Sequence, residues 1–358
     1  MDHDAKIFVA GHRGLLGSAI VRALRIAGFM NLITRSRDQL DLRDNGAVRV
    51  LFERERPDYV FLAAARVGGI LANGTLPVEF LVENLAIQNS VLIAACDTQV
   101  KKLLFLGSSC IYPRMAPQPI REEYLLTGPL EPSNRAYALA KIAGIELCNA
   151  CRSEYGSNFI SVMPTNLYGP DDNFDLTTSH VLPALLRKIH IAKMRADTTV
   201  SVWGTGTPRR EFLHVTDAAD ACLFLMNHYD SAEIVNVGTG EEITIGDLAQ
   251  SIAEIVGYNG EIVYDTSRPD GTPRKVLDVS RLIGLGWRPC IALKAGIARV
   301  YQEVDKSAWL DPGSRPSQQG NSAFDATQND PDLSLHGAAC LPDSDRYRRE
   351  RNPIQVSP

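Results

Sequence analysis

Lys6-Ile-Phe-Val-Ala10, followed by Gly11-His12-Arg13-Gly14-Leu15-Leu16-Gly17, is the stretch that decides the fold. The first five residues form a β-rich apolar run, and Leu16, Ile20, Ala23, Leu24 and Ala27 recur at helical spacing. The glycines therefore sit on a strand-to-helix turn. Without Cβ atoms the backbone there can approach a pyrophosphate, whose charge the helix N-terminus stabilises. Such turns are common, so the flanking strand and helix, rather than the glycines themselves, carry the reading.

About twenty residues further on, an acidic side chain grips the adenosine ribose in NAD-binding chains. Here the run Asn31-Leu-Ile-Thr34 ends in Arg35-Ser-Arg37. Guanidinium groups suit a 2′-phosphate, and Arg13 in the turn points to the same corner, so NADP is the favoured cofactor. Asp38 and Asp41 lie close enough to leave NAD open.

Working outward, apolar runs at 6–10, 31–34, 59–62, 102–106 and 159–163 alternate with helical patterns. That alternation predicts an α/β chain with a Rossmann-type, doubly wound parallel sheet. After residue 165 the pattern is more mixed, with helical stretches at 179–195, 216–228 and 244–256 and short strands near Val200, Val235 and Val263. We read residues 1–165 as the dinucleotide-binding domain and 166–310 as a smaller C-terminal α/β substrate-binding domain, with some elements returning to the main sheet. Residues 311–358 are rich in Pro, Ser, Asp, Gln and Arg without periodicity. This predicts a disordered tail, because so little apolar area cannot offset the entropy of ordering.

Composition excludes some classes. With 45% apolar residues and a net charge of −5, the chain can bury a full core and does not read as an electrostatic binder of nucleic acid. No signal peptide and no run of 18 apolar residues is read, so the expected compartment is the cytosol and no membrane is involved. Seven cysteines, an odd number, fit reduced thiols. Cys148-Asn-Ala-Cys151 has redox or zinc spacing, but it falls late in a helix with no second pair, so no metal is predicted.

The chemistry is expected at the end of the fourth run. Gly107-Ser108-Ser109-Cys110 follows Lys102-Leu-Leu-Phe-Leu106 at the C-terminal edge of a parallel strand, where open α/β sheets place their ligands. Pro132-Ser-Asn134 is a plausible helix start for Tyr137-Ala-Leu-Ala-Lys141, which puts Tyr137 and Lys141 on one helical face. A lysine cation beside the phenol would lower its pKa from ~10 and make Tyr137 an acid or base near neutrality. Ser108 would bond the same substrate oxygen.

These residues resemble the extended short-chain dehydrogenases/reductases, over about Lys6 to Tyr301. Phe105-Leu-Gly-Ser-Ser-Cys-Ile-Tyr-Pro113, Val162-Met-Pro-Thr-Asn-Leu-Tyr-Gly-Pro170, Trp203-Gly-Thr-Gly-Thr-Pro208 and Arg210-Glu-Phe-Leu-His214 carry the resemblance more specifically than the glycine turn. It implies an NADPH-dependent enzyme that epimerises C3 and C5 of GDP-4-keto-6-deoxy-D-mannose and then reduces C4, working as a homodimer through helices near 76–96 and 133–155. It implies Cys110 as base and His180 as acid, since inverting a centre beside a ketone needs both. Ser108 and Tyr137 would steady the oxygen at C4, and Lys141 would hold the nicotinamide ribose. Leu106, Gly107, Ser109, Pro164, Thr165, Asn166, Leu167 and His180 would also line the cofactor. Lys188, Trp203, Arg210, Asp270 and Lys275 would hold the GDP-sugar. Other nucleotide-sugar epimerases and dehydratases share the fold, but a dehydratase needs an acid pair where Ser109-Cys110 stands. A non-catalytic cofactor-binding protein is the remaining alternative, and such proteins typically lose the Tyr-Lys pair.

Overall fold

A computed structural model describes residues 1–268, 270–306 and 309. The expected disordered tail, 311–358, lies outside them. The strands are β1 (Ile7–Ala10), β2 (Leu32–Ile33), β3 (Tyr59–Leu62), β4 (Lys102–Leu106), β5 (Phe159–Pro164), β6 (Asn166–Tyr168), β7 (Thr199–Trp203), β8 (Arg209–Arg210), β9 (Phe212–His214), β10 (Val235–Val237), β11 (Ile243–Thr244), β12 (Glu261–Asp265) and β13 (Arg274–Lys275). The helices are α1 (Leu15–Ile26), α2 (Asn45–Glu55), α3 (Ile70–Thr75), α4 (Pro77–Asp97), α5 (Arg135–Tyr155), α6 (Val181–Arg195), α7 (Val215–His228), α8 (Ile245–Val256), α9 (Ser280–Gly284) and α10 (Leu293–Glu303).

The main sheet runs β10-β5-β4-β3-β1-β2, and every pairing is parallel. All residues of β1 and β4 are buried, as strands covered on both faces require. One face packs Phe8, Phe52, Val91, Leu103, Phe105 and Ile145 under α2, α4 and α5. The other packs Ile7, Ile20, Leu24, Leu104, Ile160 and Leu223 under α1 and α7. Strand order reverses beside β1, so the site opens at the C-terminal ends of β1, β4 and β5, the switch point of such sheets.

A third apolar cluster, including Leu186, Leu248, Ile252, Ile297 and Val300, lies among α6, α8 and α10. Strands β11-β8-β13 and β12-β7 form small sheets beside it. β10 comes from this later part of the chain yet pairs with β5, and that pairing fastens the two halves together. α4 is the one described helix long and apolar enough to span a membrane, but its Phe80, Asn84, Gln88, Val91 and Leu92 are buried. It is a core helix packed on α5. Cys148 and Cys151 are buried on α5, and burial pushes both thiols up to about 12.

Candidate active site

The glycine turn is built as a cradle. Gly11 has φ +88°, which favours glycine, and a Cβ there would meet Ala64 N at 2.6 Å. A Cβ on Gly17 would meet Gly11 O at 2.0 Å, whereas one on Gly14 would meet only Gly11 O, at 3.5 Å. The turn is thus closed toward the protein and open at Gly14. Gly14 is the N-cap of α1 and gives it no side-chain cap, which leaves the first-turn amides available to a phosphate. These features fit a dinucleotide. Gly17→Ala is therefore expected to force the turn apart at a cost of ~1–3 kcal/mol. Cofactor titration should show affinity weakened by ~5-fold to 150-fold. Unchanged affinity would mean that this turn does not set the phosphate site.

The ribose corner differs from expectation in one residue. Arg35 does not project alone: its guanidinium pairs with Glu55 on α2 at 2.9 Å and donates to Thr34 O at 2.8 Å. Arg13 and Arg37 are exposed, and His12 is half-buried beside Arg13.

Ser108 ends the strand β4 extension in extended backbone, and its Oγ accepts from Cys110 N at 3.2 Å, which caps a short 3-10 turn at Ser109–Ile111. Tyr137 stands in the first turn of α5, hydrogen-bonded to Ser108, with its ring edge on Phe80 at 6.4 Å. α5 lies close because residue 144 is glycine: a Cβ there would meet the Phe105 ring at 2.4 Å.

The expected effect of Lys141 on the phenol is not seen. Burial pushes the Tyr137 phenol up, Cys110 adds to this, and only the Ser108 hydrogen bond opposes it. Lys141 instead donates to Leu106 O at 2.7 Å and lies 4.8 Å from the Phe105 ring centroid, against 5.9 Å for Tyr137. Burial holds its ammonium down to about 8. The strand-end carbonyl outcompetes the phenol for this cation. Tyr137 is left as a protonated donor rather than a phenolate.

Among the residues expected on the GDP-sugar, Lys275 reaches furthest into the reacting centre, with Nζ 3.6 Å from Cys110 Sγ. Its neighbour Arg274 points the other way, pairing with Glu242 at 2.7 Å, as successive residues of a strand must. Arg210 belongs to the same centre. Burial pushes its guanidinium down, while Asp270, Cys110 and Glu131 pull it up. His180 opens α6 as its N-cap, and the protein around its ring together with the Lys275 charge pushes the imidazole down.

Trp203 ends β7 and is 55% exposed, with the Arg268 guanidinium 5.0 Å from its ring centroid. Lys188 donates to Ser201 O at 2.5 Å. Asp270 accepts from Thr205 N at 2.9 Å and from Thr205 Oγ1 at 2.8 Å, so in this structure its carboxylate fastens its own loop to the Trp203 turn.

Sequence reasoning missed Glu211. Its side chain is fully buried and accepts from the backbone amides of Thr239, Gly240 and Leu277 at 2.6, 2.8 and 2.8 Å. Its carbonyl oxygen accepts from Asn166 Nδ2 at 2.8 Å and Thr165 Oγ1 at 3.3 Å. One residue thus ties the β5 end to the strands carrying Arg210 and Lys275. A lone glutamate in Arg210-Glu-Phe212, directly after two arginines, carries no pattern of its own.

The model of the NAD dependent epimerase/dehydratase family matches residues 7–238. The chain belongs to this family. Among curated members, a putative GDP-L-fucose synthase 2 of Arabidopsis thaliana is 57% identical over 302 residues, covering 84% of this chain and 92% of its own. The GDP-L-fucose synthase of Escherichia coli (strain K12) is 53% identical over 306 residues, covering 83% and 95%. Among solved family structures, a GDP-6-OMe-4-keto-L-xylo-heptose reductase from C. jejuni superposes with TM-score 0.81 at 39% identity, covering 84% of this chain and 98% of that one. A GDP-L-fucose synthetase from Naegleria fowleri, bound to NADP, superposes with TM-score 0.78 at 33% identity, covering 85% and 94%. The matched residues include the glycine cradle, Gly11 to Gly17.

Proposed function

We propose that the chain converts GDP-4-keto-6-deoxy-D-mannose to GDP-L-fucose, by epimerisation at C3 and C5 followed by reduction at C4. The observation that carries this reading is a sulfur beside the reductase phenol: Cys110 is held by Ser108, which bonds Tyr137, and Lys275 faces the sulfur. A 4-keto group acidifies the protons on C3 and C5. Cys110 removes each, Ser108 and Tyr137 steady the enolate oxygen, and His180 returns a proton on the opposite face. Tyr137 then protonates the C4 oxygen during reduction. The dinucleotide, when bound in the cradle, supplies the reducing equivalents for that carbonyl.

Gly11 to Gly17 would hold the pyrophosphate, with Leu106, Gly107, Ser109 and Pro164 to Leu167 along the nicotinamide side and Lys141 on its ribose. Lys188, Arg210 and Trp203 would take the GDP end, as two cations and an exposed ring suit a nucleoside diphosphate. The cofactor preference is NADPH, supported by the exposed guanidinium groups of Arg13 and Arg37. The working form is a cytosolic homodimer, supported by exposed Val78 and Val82 on α4 and Leu139 on α5.

Incubation with GDP-4-keto-6-deoxy-D-mannose and NADPH, with NMR of the product sugar, tests the reading. GDP-L-fucose supports it. A tightly retained NAD with no net reduction would indicate a 4-epimerase, and neither turnover nor cofactor exchange a binding protein. For the cofactor, Arg37→Asp is expected to weaken NADPH ~100-fold more than NADH, through lost pairing and new repulsion at the 2′-phosphate. Dissociation constants for the two cofactors read this directly, and an unchanged ratio would remove Arg37 from the site.

A further inference from the structure

In the proposed mechanism His180 stands on the face of the sugar opposite Cys110, so its placement decides whether a centre is inverted. It caps α6 in extended backbone, and its ring gives the helix no cap bond. The turn before it, 171–179, is tight but mostly exposed. Asp175 Oδ1 accepts from the amides of Thr177 and Thr178, both at 3.0 Å, Ser179 N donates to Asp175 O at 2.9 Å, and Asn173 Nδ2 donates to Thr178 Oγ1 at 2.9 Å. These bonds make 173–179 one connected piece, but they do not fix that piece to the protein.

Phe174 does. It is the one buried residue of 171–179, and its seat is made by residues much later in the chain. Its ring centroid lies 5.1 Å from that of Trp309, which is itself buried and meets His190 of α6 edge to face at 5.3 Å. The Arg187 guanidinium, buried on the same helix, donates to Phe174 O at 3.2 Å and to Trp309 O at 3.3 Å, so one side chain fastens both. His190 is held in turn by Tyr301 of α10, with Nδ1 2.8 Å from the hydroxyl. The other ties of the turn are slighter. Asp171 meets Arg22 and Ser18 of α1 on an exposed face, and Thr178 O accepts from Gly69 N at 3.0 Å. An exposed ion pair contributes little beside a buried aromatic ring.

We propose, resting on the function above, that Arg187 and Trp309 are positioning residues for the epimerisation: together they seat Phe174, and through the 173–179 turn they set His180 opposite Cys110. With the seat intact, a C–H bond breaks as its proton passes to the Cys110 sulfur, and His180 gives a proton to the other face, which inverts the centre. With the seat lost, Cys110 still removes the proton, because its contacts with Ser108 and Lys275 are unchanged. The only placed acid is then the Cys110 thiol, whose S–H bond breaks as the proton returns to the face it left. Cys110 is half-buried, so its thiol exchanges with solvent and solvent hydrogen enters the sugar with retained configuration. A misplaced acid therefore has a signature that general loosening of the fold lacks.

The experiment runs wild type, Trp309→Ala and Trp309→Phe with the 4-keto sugar and NADPH in heavy water, and NMR reads both deuterium and configuration at C3 and C5. Wild type should label both carbons with inversion. Because misplacing a catalytic group by about 1 Å costs ~100-fold, Trp309→Ala should raise the ratio of retained to inverted label ~100-fold, while total label and the NADPH dissociation constant stay near wild type. Trp309→Phe keeps an aromatic ring on Phe174 and should restore most of the wild-type ratio. A wild-type ratio in Trp309→Ala, whether or not total activity falls, would overturn the proposal. If Trp309→Ala does not bind NADPH, Phe174→Leu, which shrinks the seated ring itself, decides on the same ratio: a rise supports the seat and no change overturns it. If wild type places no deuterium at either carbon, the epimerase reading itself fails, an outcome distinct from any variant result.

Discussion

Cys110→Ser is expected to abolish deuterium incorporation at C3 and C5 while leaving a slow ketone reduction. The substitution changes one atom. Cys110 is half-buried, its amide is held by Ser108 Oγ at 3.2 Å, and neither that bond nor the 3-10 turn depends on the sulfur. An alcohol is a far weaker acid than a thiol, so serine does not furnish the anionic base. Losing a positioned base costs ~10²–10⁴-fold, and the effect should fall on both inversions together. Tyr137, Lys141 and the glycine cradle are untouched, so NADPH oxidation should continue slowly and yield the unepimerised 6-deoxy-D-hexose. NMR of a heavy-water reaction, read beside absorbance at the cofactor band, measures the two chemistries separately. Normal incorporation would remove Cys110 from the mechanism, and the Lys275 contact would then need another explanation.

The legible and illegible parts of this chain divide along a physical line. Strands β1, β3, β4 and β5 were readable because a strand buried on both faces must be a continuous apolar run. α7 and α8 were readable from their period, and the first appears within a residue of its expected start. Ser108 and Tyr137 were readable as candidates because strand-end position and i to i+4 spacing are local properties, whereas Cys110 as base came from the family resemblance. What could not be read was competition between partners. Arg35 has two, a phosphate that the sequence suggests and Glu55, which arrives from α2 twenty residues later. Lys141 likewise shares a helix face with Tyr137, yet bonds a carbonyl from β4. Glu211 was invisible for the same reason, since the amides of Thr239, Gly240 and Leu277 meet it only in the folded chain. Arg274 and Lys275 read alike in sequence, and strand alternation alone sends one to Glu242 and the other to Cys110.

Tyr137→Phe should produce the opposite pattern to Cys110→Ser. In the proposed mechanism the phenol is the proton donor to the C4 oxygen, and its removal is expected to slow reduction by ~10²–10⁴-fold. Exchange at C3 and C5 should persist at a reduced rate, because Ser108, proposed to bond the ketone oxygen, is unchanged, as are Cys110 and His180. Packing should survive as well, since the ring edge on Phe80 is kept and only a hydroxyl is lost. The raised phenol pKa sharpens this expectation. Burial and the neighbouring Cys110 keep Tyr137 protonated through neutral pH, so the wild-type donor is present without any help from Lys141. Of the pair, Lys141, held down to about 8, titrates before Tyr137 as pH rises. Reduction by the wild type should therefore decline as pH rises through about 8, reporting loss of the Lys141 charge rather than ionisation of Tyr137. In Tyr137→Phe the same decline should remain on a much lower plateau. If the substitution erased the alkaline limb while reduction stayed fast, the titrating group would be the phenol, and the Lys141 contact with Leu106 O would not describe the working enzyme.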